Sequence, residues 1–76
     1  MAGEKSAVNV ALGAAMRSAR RERGHTQEGF AALAGVSSRY YGAVERGEFS
    51  PSVNVVAKVA AALGMRPSEL LGRAGL

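Results

Sequence analysis

The sequence predicts an all-α domain of five short helices, and three observations support this fold class. Apolar residues recur at intervals of three and four along most of the chain, which is the spacing of one helix face. A glycine follows four of these apolar segments, as glycines commonly follow helices. No segment combines strict alternation with β-branched residues, as a strand would. The 76 residues suffice for one small domain, and without cysteine its core depends on packing alone.

The first predicted helix begins at Val8, after a flexible N-terminal arm formed by residues 1–7, and ends before Gly24. Its apolar stripe consists of Val8, Leu12, Ala15, Met16 and Ala19. Four arginines fall mostly outside that stripe: Arg17, Arg20, Arg21 and Arg23. Because positive side chains near a helix C-terminus interact favourably with its dipole, these arginines are consistent with a helix that ends here.

The second and third helices are predicted from the residues that begin and end them. Thr26 is a good N-cap for a helix over residues 27–34, and Gly35 ends that helix. Ser37 caps a third helix, which extends over residues 38–46. The apolar residues expected to face inward from these helices and their turn are Phe30, Leu33, Ala34, Val36, Tyr41 and Val44. Two short helices joined by a tight turn that contains glycine are typical of a steep helix crossing.

The fourth and fifth helices follow a loop over residues 47–52. Ser52 is the expected N-cap of a helix over residues 53–63. Its broad inward face consists of Val53, Val56, Ala57, Val59, Ala60 and Leu63. Pro67 occupies the first position of the last helix, where proline is favoured. Residues 72–76 are expected to form a frayed tail.

The third helix has two unlike faces when it is drawn at about 100° per residue. Tyr41 and Val44 lie on the side to be buried. The opposite, exposed side consists of Ser38, Arg39, Gly42 and Ala43. Small side chains let a helix approach another surface closely, whether a second helix or the floor of a DNA major groove about 12 Å wide.

The charge balance favours a polyanionic partner. Ten Lys and Arg stand against six Asp and Glu, for a net charge of +4. Nucleic acid is the usual partner of such a domain, an acidic membrane surface is a rarer one, and ordinary solubility charge is equally compatible with the composition. The apolar runs are too short to span a membrane, and the N-terminus does not read as a signal peptide, so a cytoplasmic protein is expected.

Five short motifs together are more specific than any one of them. They are TQE at 26–28, GVS at 35–37, ERG at 45–47, PS at 51–52 and LG at 63–64. With these motifs, the stretch from about Leu12 to Leu71 resembles the helix-turn-helix domain of the Cro/C1-type (XRE) family of transcriptional regulators. Phe30, Tyr41 and Gly42 depart from the residues that are usual there, and the first two keep bulk in the core.

The resemblance implies a lambda-repressor-like fold that inserts the helix over residues 38–46 into the major groove of an inverted-repeat operator, as a dimer. Arg39 is the leading base contact, since arginine pairs bidentately with guanine, and a phosphate or solvent role is its alternative. The full set of expected base contacts is Ser38, Arg39 and Ala43. The expected phosphate contacts are Gln27, Arg17, Tyr40, Arg46 and Thr26. For Tyr40, a half-buried packing role is equally compatible with the sequence.

Two further sets of residues are expected to be structural. Glu45 and Arg20 resemble an ion pair that joins the third helix to the first in this family. A glutamate beside a buried face needs such a partner. The residues available for a dimer interface are Met65, Leu70 and Leu71.

The rival hypothesis is a protein-interaction module, such as an antitoxin, for which DNA binding is secondary. An enzyme is not expected, because the glycine-rich nucleotide-binding motifs and a catalytic triad pattern are absent. His25 is the single histidine and there is no cysteine, so no metal site is expected. The sequence indicates no cofactor, no small-molecule ligand and no membrane partner.

Overall fold

The computed structural model describes residues 6–76, and within that range the chain forms five helices and no strand. The helices are α1 (Ala7–Glu22), α2 (Gln27–Ala34), α3 (Ser38–Glu45), α4 (Val53–Ala62) and α5 (Pro67–Arg73). The predicted all-α, lambda-repressor-like fold is confirmed. None of the helices in the described range has the length and apolar content that a membrane span requires.

Side-chain caps begin α1, α2, α3 and α4, and those at Thr26, Ser37 and Ser52 are the caps that the sequence predicts. The hydroxyl groups of Ser6, Thr26, Ser37 and Ser52 each accept a hydrogen bond from the backbone N–H three residues later. Gly35 ends α2 in the left-handed conformation, with φ of +77°. These local interactions satisfy backbone groups that a short helix otherwise leaves unpaired.

One apolar core joins the five helices. Helix α1 packs against α3 and α5, α2 packs against α3 and α4, and α4 packs against α5. The largest fully buried side chains are Tyr41, Phe30, Met16, Leu70, Val44 and Val59. The rings of Phe30 and Tyr41 lie 5.3 Å apart between centroids, so α2 and α3 meet through an aromatic pair.

Four residues predicted to face inward are instead exposed. Val8, Leu33 and Val53 expose 51%, 59% and 85% of their surface, and Ala57 is also exposed. Each lies on a helix whose position was predicted correctly, but at the edge of its apolar face. The predicted buried face was too wide, because the hydrophobicity of a residue does not reveal whether a neighbouring helix covers it.

Both ends of the domain also differ from the prediction. Residues 1–5 of the expected flexible arm lie outside the described range, whereas Ser6 caps α1 and Ala7 begins it. Within the expected tail over residues 72–76, α5 continues to Arg73, and the Leu76 N–H donates to the Leu71 carbonyl at 3.0 Å. The Arg73 guanidinium donates to Glu22 at 3.1 Å and so attaches α5 to α1.

Candidate functional site

The first turn of α3 presents polar side chains to solvent. Ser37 is occupied as the N-cap, its hydroxyl accepting from the Tyr40 N–H at 3.1 Å. Ser38 and Arg39 follow it and are both exposed. Tyr41 and Val44, on the other side of the same helix, are 1% exposed. The buried side therefore anchors α3 in the domain and leaves Ser38 and Arg39 on its accessible side.

A concavity of about 480 Å³ runs along this accessible side. Its lining residues are Ser37, Arg39, Tyr40, Ala43, Arg46, Glu48 and Phe49, and we call it the aromatic concavity. The rings of Tyr40 and Phe49, two of these lining residues, stack on each other with centroids 6.4 Å apart and planes inclined by 26°. Phe49 is 55% exposed. Phe49 is not among the residues predicted to contact DNA, although an aromatic residue in an otherwise polar loop was an available signal.

Ala43 is not the exposed residue that the helical wheel predicts. It is only 5% exposed and lies at the floor of the aromatic concavity. The chain turns back at this point, because the Glu48 N–H donates to the Ala43 carbonyl at 3.0 Å. A wheel drawn for α3 alone does not include this loop, and this is why the exposure of Ala43 was overestimated.

Gly42 is also buried, and the partner it approaches belongs to α2. A Cβ atom at this position would lie 3.0 Å from the Gln27 Oε1 atom and 3.2 Å from an Arg46 guanidinium nitrogen. The sequence left open whether this glycine approaches a second helix or the floor of a DNA groove. In the structure it faces a side chain of the neighbouring helix α2. The glycine makes room for the Gln27 side chain at the start of α2.

Glu45 is the acceptor at the centre of a buried polar network. Arg20 contacts it through two nitrogens, with Nε to Oε2 at 2.8 Å and Nη2 to Oε1 at 3.1 Å. The Gln27 amide donates to Oε1 at 3.1 Å, and Arg17 Nε lies 3.7 Å from the same oxygen. Arg20 also donates to the His25 carbonyl at 2.8 Å. The network thus joins α1, the turn after it, α2 and α3 at one point.

This network sets the charge state of its members. Burial by itself favours the neutral acid, but the hydrogen bond from Arg20, with smaller contributions from Tyr41 and Gln27, lowers the pKa of Glu45 below its usual range. Burial raises the pKa of Tyr41, and the Glu45 carboxylate raises it further. The hydrogen bond to Glu45 raises the pKa of Arg20. Arg20 and Glu45 therefore remain charged at neutral pH.

The expected phosphate contacts form two groups. Arg17 and Arg46 line a second concavity of about 770 Å³ between α1 and the end of α3, together with Arg21 and the carboxylates of Glu22 and Glu45. Arg46 lines the aromatic concavity as well, so a run of exposed arginine side chains connects Arg17 to Arg39. Tyr40 also lines the aromatic concavity, whereas Thr26 and Gln27, at the start of α2, line neither concavity.

Several of these residues already have partners within the chain. The Arg46 Nε atom lies 2.7 Å from Glu48 Oε2 in an exposed ion pair. Thr26 caps α2 by accepting from the Gly29 N–H at 3.0 Å. The Gln27 amide is occupied by Glu45. A phosphate contact by Arg46 or Gln27 would therefore exchange or share an existing hydrogen bond.

The expected dimer interface needs a correction. Leu70 is completely buried in the core of the monomer, so it has no surface to offer a second chain. Met65 and Leu71 are partly buried. Exposed apolar surface lies instead in a groove of about 260 Å³ between α1, α4 and α5, which we call the apolar groove. Its lining residues are Val8, Leu12, Pro51, Val53, Val56, Ala57, Pro67, Leu71 and Leu76.

Comparisons with known proteins agree with this architecture. Residues 16–70 match the helix-turn-helix family HTH_3. The chain is 38% identical over 58 residues to YazB, an HTH-type transcriptional regulator of Bacillus subtilis, an alignment that covers 76% of this chain and 84% of YazB. It is 42% identical over 52 residues to the HTH-type transcriptional regulator y4dJ of Sinorhizobium fredii, covering 68% of each.

Two solved structures are similar in both fold and sequence. The clp gene regulator ClgR of Corynebacterium glutamicum superimposes with a TM-score of 0.87 at 35% identity, over 95% of this chain and 77% of that one. The restriction-modification controller protein C.AhdI of Aeromonas hydrophila gives a TM-score of 0.83 at 38% identity, over 86% of this chain and 98% of that one.

Proposed function

Because the chain belongs to the HTH_3 helix-turn-helix family and is a Cro/C1-type transcriptional regulator, we propose that it recognises an inverted-repeat operator as a homodimer, with α3 in the major groove. One observation carries this proposal. The buried side of α3 holds the helix in the core, and its other side carries exposed Arg39 within a run of arginines that extends to Arg17. We assign the protein no catalytic role and a cytoplasmic site of action.

The arginines divide into base contacts and phosphate contacts in this proposal. Arg39, in the first turn of α3, pairs with a guanine, and Ser38 contacts a base or a phosphate beside it. Arg17 and Arg46 border the groove edge and contact phosphates, which position the protein without reading sequence. Gln27 and Thr26, at the start of α2, contact a further phosphate. The net charge of +4 supports such contacts.

The test is to select bound sites from random DNA and then compare two arginine variants on the selected operator. We expect Arg39→Ala to relax the preference at one base position, at a cost of about 1–3 kcal/mol for that base pair. Arg17→Ala should weaken binding to all sequences alike and reduce the salt slope by about one. Identical behaviour of the two variants would contradict this division of roles.

The dimer is proposed because one domain of this size reads only a few base pairs, and two half-sites one helical turn apart require two copies. The apolar groove is the surface we assign to the second copy, since Val8, Val53 and Leu76 expose more than half of their surface around it. Exposed apolar patches of this kind commonly mark association sites. Met65 and Leu71 contribute only their partly exposed edges.

Analytical ultracentrifugation tests this assignment with two matched variants. Val53→Glu introduces a charge into the apolar groove at a position that is 85% exposed, so the monomer fold is retained and the dimer is expected to dissociate. Leu33→Glu is the control, because Leu33 is also exposed, at 59%, but does not line the groove. Equal effects of the two substitutions on the sedimentation coefficient would count against this interface.

A protein-interaction module is the second candidate, and the apolar groove is the observation that favours it. In that case a different protein, such as a toxin held by its antitoxin, occupies the groove. Binding to mixed DNA at low salt separates the two functions. Retention with a steep salt dependence supports the regulator, whereas no retention together with a co-purifying protein supports the module.

A further inference from the structure

We propose that the aromatic concavity receives the C5-methyl group of a thymine in the operator, so that Phe49, Tyr40 and Ala43 form a thymine-reading site next to Arg39. This inference rests on the proposed insertion of α3 into the major groove. It gives a recognition role to Phe49, a residue outside the helix that would enter the groove.

The first argument is the position of the concavity. It opens on the accessible side of α3, and Arg39 lies on its rim. A base contacted at the rim by Arg39 therefore has its neighbour in reach of the concavity. Ala43 lines the same concavity with a small side chain, so a methyl group can reach the exposed surface of the two aromatic rings.

The second argument is chemical. The apolar part of its lining consists of the stacked rings of Tyr40 and Phe49 and the methyl group of Ala43. Among the groups that base pairs present in the major groove, the thymine methyl is the apolar one, and the others are hydrogen-bond donors and acceptors. Arg46 and Glu48 also line the concavity but pair with each other at 2.7 Å, so their charges offset, and the proposed partner of Arg39 is the neighbouring guanine. A neutral apolar group fits this lining best.

The third argument is that the loop holds Phe49 in place before DNA arrives. Gly47 adopts φ of +77°, and its N–H donates to the Val44 carbonyl at 3.0 Å. The Glu48 N–H donates to the Ala43 carbonyl at the same distance. A Cβ at residue 47 would lie 2.9 Å from a Val10 methyl group, so glycine is required by the neighbouring helix as well as by φ. The aromatic wall is therefore largely preorganised, which limits the entropy lost on binding.

The experiment replaces each thymine of the selected operator, one base pair at a time in both half-sites, with deoxyuridine, which lacks only the methyl group. Affinities are measured by fluorescence anisotropy for the wild-type protein, for Phe49→Ala and for Leu33→Ala. We expect one thymine position at which the wild-type protein loses about fourfold in affinity per half-site, the effect of burying one methyl group.

The variants decide whether the aromatic concavity produces that effect. Phe49→Ala should bring the thymine-to-uracil ratio at that position close to one. Leu33→Ala, which removes an equally exposed apolar side chain from α2, should keep the wild-type ratio. Thermal denaturation of both variants confirms that they are folded, as expected for truncations of exposed side chains.

Three outcomes would overturn the inference. Operator binding that is insensitive to every thymine methyl would refute the thymine site and leave the regulator assignment intact. A thymine-to-uracil ratio that persists in Phe49→Ala, with affinity lowered for all sequences alike, would mean that the concavity contacts the sugar–phosphate backbone instead. Failure to select any operator at low salt would refute the proposed function and the thymine site together.

Discussion

Two arginine–glutamate ion pairs at the end of α3 have nearly the same length and opposite exposure. Arg20 Nε lies 2.8 Å from Glu45 Oε2, and the side chains of these residues are 8% and 0% exposed. Arg46 Nε lies 2.7 Å from Glu48 Oε2, and those side chains are 51% and 41% exposed. From the distances alone, the two pairs would be expected to contribute equally to stability. They differ in burial, and burial determines how much each pair contributes.

The two ion pairs differ in what happens to the arginine when its glutamate is removed. Without Glu45, the Arg20 charge would stay buried with a single backbone carbonyl as its partner, a situation that costs about 3–5 kcal/mol. Without Glu48, Arg46 would turn to water, and exposed pairs of this kind contribute little to stability. The buried pair thus holds helices together, whereas in the proposed complex with DNA the exposed pair lets Arg46 exchange its carboxylate for a phosphate.

Glu45→Gln tests the buried pair and has the largest expected effect. We expect the unfolding free energy to fall by about 3–5 kcal/mol, because the Arg20 charge stays buried without a counter-charge. Urea denaturation followed by circular dichroism measures it. Glu48→Gln is the matched control, and a similar loss for both variants would show that burial does not distinguish the pairs.

Acid should weaken the buried pair without any mutation. The pKa of Glu45 is lower in the folded state than its ordinary value of 4.5, so its contribution to stability is full above that value and is lost as the pH falls through the folded pKa. Glu22, whose pKa Arg73 lowers, adds an exposed and more strongly screened contribution. Urea denaturation along a pH series should therefore show a shallower acid loss for Glu45→Gln than for the wild-type protein.

Gly13→Ala tests the backbone contact that supports the buried pair. A Cβ at this position would lie 2.4 Å from the Val44 carbonyl oxygen and 2.5 Å from that of Glu45, so α1 and α3 must separate. We expect a loss of about 1–3 kcal/mol, the usual cost of overpacking. At Gly72, in α5, a Cβ would meet nothing within 4 Å, and Gly72→Ala should instead gain about 0.5–1 kcal/mol. Thermal denaturation of the two variants should shift in opposite directions.

Glu48→Gln has the smallest expected effect on stability, because the ion pair with Arg46 is exposed to solvent. The same substitution also tests DNA binding, because it removes a negative charge from the aromatic concavity next to Arg46. We expect tighter binding to the selected operator at low salt and a smaller difference at high salt, where charges are screened. A large loss of stability with unchanged binding would reverse the roles that we give to the two ion pairs.

The sequence predicted the helices well, because the signals that begin and end a helix are local. Thr26, Ser37 and Ser52 cap the helices they were expected to cap, and Gly35 ends α2 as expected. It also indicated that Arg20 and Glu45 are partners, although through a family resemblance rather than through the spacing of the residues. Such features depend on atoms within a few residues or on a pattern shared by related chains.

Single residues on those helices were harder to predict. Leu33 and Val53 are exposed, Leu70 is too deeply buried to form an interface, and Ala43 lies under a loop that no helical wheel contains. Nothing in the sequence around Gly13 indicates that this residue contacts the backbone of α3. Each of these depends on the approach of a segment distant in the chain, which hydrophobic periodicity does not encode.

By itself, then, the sequence determined the boundaries of α2, α3 and α4 to within one residue, the polar first turn of α3 and the family of the chain. Only the tertiary structure decided which arginine is buried in an ion pair, which arginines remain accessible, and that Phe49 stacks on Tyr40. The physical reason is that capping and helical hydrogen bonds close within about four residues. Burial, which separates a structural charge from one available to DNA, exists only after all five helices have packed.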